Sequence, residues 1–239
     1  MKKDTEILSG PLLSFDTALN ACSVALTDAH GAVFAERVEP MQRGQSEALI
    51  PTIEEVLRHA GLAYRDLAAL ATTRGPGAFT GVRLGLAAAQ ALELSLKIPA
   101  YGVSTLEVLA FAHSQRDAPQ GDFAICLETK RTEYYLQLFN KSGAAINKPA
   151  SVPLSDVEEL CAPLSRIIGD ALERLRTEWS DAPDSLSFIE YKHIPPTAIA
   201  DFIRARQNNL SDFPLRPLYL RGADVSPPKS SYGLEAVRK

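Results

Sequence analysis

The sequence has few cysteines, and they lie far apart. Cys22, Cys126 and Cys161 are the only three among 239 residues, and no Cys-x-x-Cys pair occurs. An odd number of scattered cysteines fits neither a disulfide framework nor a zinc ribbon. We therefore expect reduced, buried thiols in a cytoplasmic protein.

Long apolar runs are also missing. The longest one of note, residues 84–92, has nine residues between Arg83 and Glu93, whereas a membrane span needs about 20. Asp4 and Glu6 interrupt what would have to be the apolar core of a signal peptide. We expect a cytoplasmic location and no membrane partner.

The chain has no excess of basic charge. It has 25 Lys and Arg against 29 Asp and Glu, for a formal net charge of -4. A protein that binds nucleic acid through its own charge is usually basic overall or carries an obvious basic stripe. The composition, with 46% hydrophobic and 23% charged residues, is that of a globular protein of one large or two small domains.

Apolar periodicity predicts strands and helices in alternation along the first half. A helical stripe after a candidate N-cap, Ser46, ends at Gly61. The predicted order, β-β-β-α-β-α-β, favours a mixed sheet flanked by helices. Its segments are residues 12–15, 22–27, 33–38, 46–60, 67–71, 80–97 and 99–103.

The second half repeats strands followed by helices more loosely, after a polar connection at residues 114–122. We expect an N-terminal subdomain at 1–113, a C-terminal subdomain at 114–222 and a flexible tail at 223–239. The expected strands are 123–127, 133–139 and 166–169, and the expected helices are 155–161, 170–177 and a final one at 195–207.

A glycine-rich turn at residues 74–81 is the first candidate for ligand chemistry. Its glycines let the backbone approach a ligand, and free N–H groups at the start of the next helix attract anions. The spacing matches neither the dinucleotide nor the P-loop pattern, so a tight strand-to-helix turn and an anion cradle both remain open. Asp16, at the end of the first strand, could hold a cation or cap its own turn. The candidate phosphate-side residues are Asp16, Thr17, Gly75, Pro76, Gly77 and Thr80.

Patterns for metal or nucleophile chemistry are missing. The four histidines have no i,i+4 partner and no neighbouring cysteine, whereas a catalytic zinc normally takes three protein ligands. No Gly-x-Ser-x-Gly elbow occurs. We expect no metal, and a peptidase is the least favoured function because it would need one of these sets.

The second helix is apolar on all sides. Ten of the fifteen residues from 82 to 96 are Val, Leu or Ala. A helix of this kind is buried all round, so one side should face the sheet and the other a neighbouring helix or another chain.

Several motifs together resemble one family, TsaB, also called YeaZ. Residues 74–85 read R-G-P-G-A-F-T-G-V-R-L-G, close to that family's R-G-P-G-S-F-T-G-V-R-I-G. The match is dense over residues 12–112 and sparse afterwards. The further matching segments are F-D-T at 15–17, A-C-S-V-A-L at 21–26, S-E-A-L-I-P at 46–51, P-A-Y-G-V-S-T-L at 99–106 and P-L-Y-L-R at 217–221.

The resemblance implies an actin-like ATPase (ASKHA) fold made of two ribonuclease H-like subdomains. It also implies a non-catalytic subunit of the bacterial complex that forms threonylcarbamoyladenosine beside the tRNA anticodon. The partners would be a catalytic TsaD-like paralogue and a TsaE-like ATPase, with a homodimer when the partner is absent and tRNA bound only through the complex. No cofactor of its own is expected, apart from ATP binding within the complex. The partner surface would lie on the first two helices, at Leu49, Ile53, Leu57, Leu84, Gly85, Ala88, Ala91 and Leu92.

Two sets of positions test this resemblance at the level of single residues. The catalytic paralogue carries a His-x-x-x-His metal motif where this chain has Thr105 and Leu109, which favours the non-catalytic role. The chain departs from the family at Gln45, where a histidine is frequent, and in the loop at 128–135, where Glu128 and Thr132 replace Asp and Gly. The alternative function is an independent nucleotide-binding ATPase of the actin-like class.

Overall fold

The structure is a computed structural model that describes residues 9–117 and 121–220. The tail predicted at 223–239 lies outside these residues. Two five-stranded sheets and six α-helices make up the described part. The strands are β1 (Leu12–Asp16), β2 (Ala21–Thr27), β3 (Val33–Pro40), β4 (Ala69–Thr73), β5 (Ala100–Val103), β6 (Phe123–Glu128), β7 (Tyr134–Phe139), β8 (Ala150–Val152), β9 (Arg166–Gly169) and β10 (Ser187–Glu190). The helices are α1 (Gln45–Ala60), α2 (Phe79–Leu96), α3 (Thr105–Asp117), α4 (Leu154–Cys161), α5 (Leu172–Glu178) and α6 (Ala198–Ala205).

The first sheet has the order β3-β2-β1-β4-β5. Strands β1, β2 and β3 pair antiparallel, whereas β1, β4 and β5 pair parallel. All five residues of β1 are buried because strands and helices cover it on every side. Strand β3 is an exposed edge, and its charged residues Glu36, Arg37 and Glu39 protect that edge from pairing with another chain.

The second sheet repeats this topology. Its order is β10-β9-β6-β7-β8, with β6, β7 and β8 antiparallel and β6, β9 and β10 parallel. The helices also occupy the same places in both halves. In each half, one helix joins the third strand to the fourth, one joins the fourth to the fifth, and one follows the fifth. The two halves are therefore two copies of one architecture, and the predicted mixed sheets flanked by helices are confirmed.

The helices form three layers around the two sheets. Helices α1 and α2 cover the outer face of the first sheet, and α4 and α5 cover that of the second. Helices α3 and α6 pack on each other between the sheets, α3 against β6 and β7, and α6 against β1 and β4. The terminal helix of each half thus contacts the sheet of the other half, which produces one shared core.

The expected bounds of α1 and α2 agree with the structure to within one residue, whereas the expected subdomain boundary and the expected cap of α1 do not. The subdomain boundary expected between 113 and 114 falls inside α3, which continues to Asp117. Helix α1 begins after Gly44, whose φ of 97° suits glycine, and Ser46 bonds Glu47 instead of capping the helix. Helix α2 begins at Phe79, one residue before its expected start.

Two further expectations can be compared with the described residues. Cys22, Cys126 and Cys161 are free and buried, as expected. Within 9–117 and 121–220, no helix is both long and apolar enough to cross a bilayer.

Candidate functional site

A cleft of about 730 Å³ opens between the two halves of the molecule. One wall comes from the first half: the turn after β1, the β3–α1 loop, the glycine-rich turn and the start of α2. The other wall comes from the β6–β7 loop and Asp170, with the segment at 218–220 along the rim. Among the residues expected on the phosphate side, Thr17, Pro76, Gly77 and Thr80 line the cleft.

Asp16 is fully buried and is used within the protein. Its Oδ1 accepts the backbone N–H of Ala18 at 3.1 Å and its Oδ2 accepts that of Leu19 at 3.4 Å. The hydroxyl of Thr73 also donates to Oδ1. Burial raises the pKa of Asp16, and these hydrogen bonds offset part of the effect. Asp16 therefore caps its own turn, and the expected contact with a cation or phosphate is not supported.

The glycine-rich turn packs directly on the turn that follows β1. Ala78 N–H donates to the carbonyl of Ala18 at 2.8 Å, and the Thr17 hydroxyl donates to the carbonyl of Gly81 at 2.7 Å. A Cβ on Gly77 would come within 2.6 Å of the Ala18 oxygen, and one on Gly81 would overlap the carbonyl of Thr17. The glycines therefore permit contact between two backbone segments, as the tight-turn interpretation predicts.

Gly75 does not line the cleft either. It is buried at a φ of 97°, and its carbonyl accepts the N–H of Thr105 at 3.0 Å. Its place is therefore structural, and the phosphate-side role of Asp16 and Gly75 stays a prediction that their buried positions do not favour. The remaining members of that set line the wall next to the start of α2.

The start of α2 carries a stacked cluster that the sequence analysis did not select. The rings of Phe79 and Tyr219 stack with centroids 5.8 Å apart, and the Arg83 guanidinium carbon lies 3.7 Å from the Phe79 centroid. Arg83 Nε donates to the Tyr219 hydroxyl at 2.9 Å. Phe79 is 56% exposed and Tyr219 48% exposed. The i,i+4 spacing of Phe79 and Arg83 on a helix could have predicted their contact. The contact with Tyr219 could not be predicted in this way, because Tyr219 is 136 residues away from Arg83 along the chain.

The opposite wall is held by Arg174 on α5. Its guanidinium forms an ion pair with Glu128 at 2.8 Å and donates to the carbonyl of Thr132 at 2.7 Å. It also lies 3.9 Å from the centroid of the Tyr134 ring. The departure from the family at Glu128 therefore places a carboxylate that this arginine neutralises.

Asp170 joins the two walls. Its Oδ1 accepts the N–H of Glu128 at 2.9 Å, and its Oδ2 accepts the side-chain amide of Asn20 at 3.4 Å across the cleft. Burial raises the pKa of Asp170 to about 6. Gln45, the other departure, lines the cleft and donates to the carbonyl of Met41 at 3.2 Å.

The positions aligned with the metal motif lie in the core. Thr105 and Leu109 are both fully buried in the first turns of α3. Across the two described ranges, no three His, Cys, Asp or Glu side chains lie close enough together to share a metal ion.

The expected partner surface divides into buried and accessible residues. Leu49, Ile53 and Leu57 are buried between α1 and the first sheet, and Gly85 is buried close to the side chains of Thr17 and Thr72. These four cannot contact a partner, because the sheet of their own chain covers them. Leu84, Ala88 and Leu92 are half-buried, and Ala91 is exposed.

The outer face of α2 is exposed in the free chain, so no neighbouring helix of the described residues covers it, and its burial against another chain stays a prediction. Ala87, Ala91 and Leu94 follow one another at helical spacing on this face, and Leu94 is 82% exposed. Ile50 of the neighbouring α1 is 42% exposed. We call Ile50, Ala87, Ala91 and Leu94 the outer helical face.

Comparisons with known proteins give a consistent result. Residues 33–182 match the family model described as TsaD: tRNA N6-adenosine threonylcarbamoyltransferase. The tRNA threonylcarbamoyladenosine biosynthesis protein TsaB of Buchnera aphidicola (subsp. Schizaphis graminum) is 27% identical over 198 residues, which are 80% of this chain and 90% of that protein.

Solved structures agree with the sequence comparisons. YeaZ from Pseudomonas aeruginosa superposes with a TM-score of 0.68 at 26% identity, over 88% of this chain and all of that one. A putative N-acetylmannosamine kinase from Listeria monocytogenes superposes at 0.52 with 10% identity, over 83% of this chain and all of that one, and shares the fold alone. The expected actin-like ATPase fold of two ribonuclease H-like subdomains is therefore confirmed.

Proposed function

The chain belongs to the TsaB (YeaZ) family, and on this premise we propose that it is a subunit of the complex that forms threonylcarbamoyladenosine in tRNA. Its relative from Buchnera is named for this biosynthesis, and the similarity extends over most of both chains. This coverage is the observation that carries the proposal.

The subunit is non-catalytic in this proposal. The family resemblance places the metal-binding histidines of the catalytic paralogue at the positions of Thr105 and Leu109. Leu109 is fully buried in the core and has no donor atom, and Thr105 is fully buried beside it. A metal centre at this place would need both residues replaced and the first turns of α3 repacked.

The catalytic partner is a TsaD-like paralogue that docks on the outer helical face. Leu94 and Ile50 are large apolar side chains exposed to solvent on two helices that contact each other, and large exposed apolar patches mark interaction sites. Ala87 and Ala91 lack long side chains, so a helix of the partner can approach closely. The same face accounts for a homodimer when the partner is absent, and the pair recruits a TsaE-like ATPase.

An independent ATPase of the actin-like class is the second candidate. The cleft of about 730 Å³ at the start of α2 favours it, since it is large enough for a nucleotide. The internal bonds of Asp16 count against it, because this carboxylate has no access to a bound metal or phosphate. Calorimetry with Mg-ATP on the isolated chain separates the two, and ATP binding only within the complex fits the subunit role.

The decisive experiment deletes the gene in its own host and measures threonylcarbamoyladenosine in digested tRNA by mass spectrometry. A plasmid copy should restore the nucleoside, and a tagged copy should purify with the TsaD-like paralogue at near equal amounts. Normal levels of the nucleoside in the deletion strain would overturn the proposal.

A further inference from the structure

The mouth of the cleft carries more positive than negative charge, although the chain as a whole is acidic. Four of its lining residues are cationic: Arg43 in the β3–α1 loop, Arg83 on α2, and Lys130 and Arg131 in the β6–β7 loop. Two are acidic, Glu128 and Asp170. The basic residues come from both halves of the molecule, so they border the cleft on two sides.

The two acids at the mouth are engaged in bonds within the protein. Arg174 neutralises Glu128 at 2.8 Å, and Asp170 accepts hydrogen bonds from the Glu128 backbone and the Asn20 amide. In contrast, the side chains of Arg43 and Lys130 are exposed, and within the described residues neither forms an ion pair. The local field at the mouth is therefore positive and directed to solvent.

The exposed aromatic pair lies next to these cations. Phe79 and Tyr219 are both about half exposed, and Arg83 packs on the Phe79 ring while donating its Nε–H to Tyr219. A guanidinium has five N–H donors, so this bond leaves further donors on a side chain that is already held in place. Aromatic rings with arginine at the edge of a positive groove are the features with which proteins bind unpaired nucleotides.

We propose that this chain itself binds RNA at the cleft mouth. The cations Arg43, Arg83, Lys130 and Arg131 contact successive phosphates of an unpaired segment, and a base stacks on the Phe79–Tyr219 pair. The spread of the cations over three separate segments favours a chain of phosphates over a single phosphate group. The proposal rests on the tRNA-linked function above and replaces the expectation that tRNA is bound only through the complex.

The test measures binding of a fluorescein-labelled single-stranded RNA of mixed sequence to the purified full chain by fluorescence anisotropy, between about 50 and 200 mM salt. The key variant is Arg43→Gln with Lys130→Gln, because neither side chain forms an ion pair with another described residue whose loss would destabilise the fold. The matched control is Arg58→Gln with Lys148→Gln, which also removes one exposed arginine and one exposed lysine charge but none from the cleft.

The expected effect follows from counterion release. One contact to a single-strand phosphate carries a salt slope of about 0.7, which corresponds to roughly eightfold in affinity at 50 mM salt. The key variant should therefore bind about 60-fold more weakly, with a salt slope lower by about 1.4, and the control should stay within about twofold of the wild type. Phe79→Ala should weaken binding at least about fivefold through lost stacking.

Two results would overturn the proposal. They are no RNA binding by the wild type, whether or not the chain binds Mg-ATP, and equal losses of RNA affinity in the key and control variants. Failure here is distinguishable from failure of the proposed function, because the latter is read from the nucleoside in cellular tRNA. Loss of the nucleoside in the deletion strain, together with a chain that binds no RNA, would contradict only the RNA site.

Discussion

Replacing Leu94 with Glu should abolish pairing with the TsaD-like partner while leaving the free chain folded. Leu94 is 82% exposed on the outer helical face, so its side chain stabilises little in the isolated protein. A surface substitution of this kind changes the free energy of unfolding by about 0.5 kcal/mol or less. A loss of pairing can therefore be assigned to the interface.

The size of the effect follows from the exposed fraction. Complete burial of a leucine side chain contributes about 1.5–3 kcal/mol, so a partner that covers the exposed 82% gains about 1.2–2.5 kcal/mol. Leu94→Ala removes most of this and should weaken binding roughly 5- to 50-fold. Leu94→Glu adds the cost of placing an unpaired carboxylate in an apolar contact, which is several kcal/mol, so no complex should form at micromolar concentration.

The assay is co-purification with the tagged partner, followed by titration calorimetry of the variants that still bind. The matched control is Leu160→Glu, since Leu160 is also an exposed leucine on a helix, at 37% exposure, but lies on α4 in the other half. Circular dichroism melting should give the same midpoint for Leu94→Glu and the wild type, whereas Leu160→Glu should melt lower because most of the Leu160 side chain is covered. Wild-type affinity in a folded Leu94→Glu protein would refute the docking of the partner on this face.

Three further predictions concern the cleft. Gly81→Ala should destabilise the fold by about 3 kcal/mol or more in urea unfolding, because its Cβ would overlap the Thr17 carbonyl. Gly44 has open space around it, so Gly44→Ala should cost only about 1 kcal/mol, through its φ of 97°. Equal costs for the two variants would refute the close-packing argument. Burial raises the pKa of Asp170 from 3.8 to about 6, so the folded state binds the carboxyl proton more tightly than the unfolded state does. The stability that this protonated carboxyl contributes is therefore lost as the pH rises from 3.8 to about 6. Asp170→Asn removes this pH dependence, so the stability of the variant relative to wild type should improve by roughly 2 kcal/mol between pH 4 and pH 7. A stability difference between variant and wild type that stays constant across this range would contradict the raised pKa. Arg174→Ala should cost about 2 kcal/mol and speed amide exchange in the β6–β7 loop, and unchanged exchange there would show that the arginine does not hold the loop.

The alternation of strands and helices was predictable because the buried strands β1, β2 and β4 are short apolar runs, whereas helix α1 is buried on one face only and its periodicity records that burial. The stripe of α1 is an example: Leu49, Ile53, Val56 and Leu57 face the sheet and are all buried. Strands β8 and β10 were missed because they have only three and four residues. So short a segment shows little alternation, and its pairing depends on strands that are distant along the chain.

Helix α3 was not predicted, whereas α2 was, and the two differ in how their apolar residues are arranged. Helix α2 is apolar on all sides, although its outer face is exposed in the free chain. Helix α3 lies between the two sheets and is the more enclosed of the two, but its residues carry no clear stripe, and Glu107 and His113 interrupt its apolar face. Composition reports how apolar a helix is, whereas burial also depends on which neighbours the two sheets bring to it.

At the glycine-rich turn, the sequence could not predict which group contacts the backbone. Glycine spacing shows that something must approach the backbone closely, but it cannot say what does. Here the approaching groups are the carbonyls of Thr17 and Ala18, which are 64 and 59 residues before the glycines that they contact, Gly81 and Gly77. A ligand at this end of the cleft would have to displace bonds that the fold already makes. Ligand contacts therefore depend on side chains outside the glycine pattern, and of these Arg83 and Tyr219 are brought together only by folding.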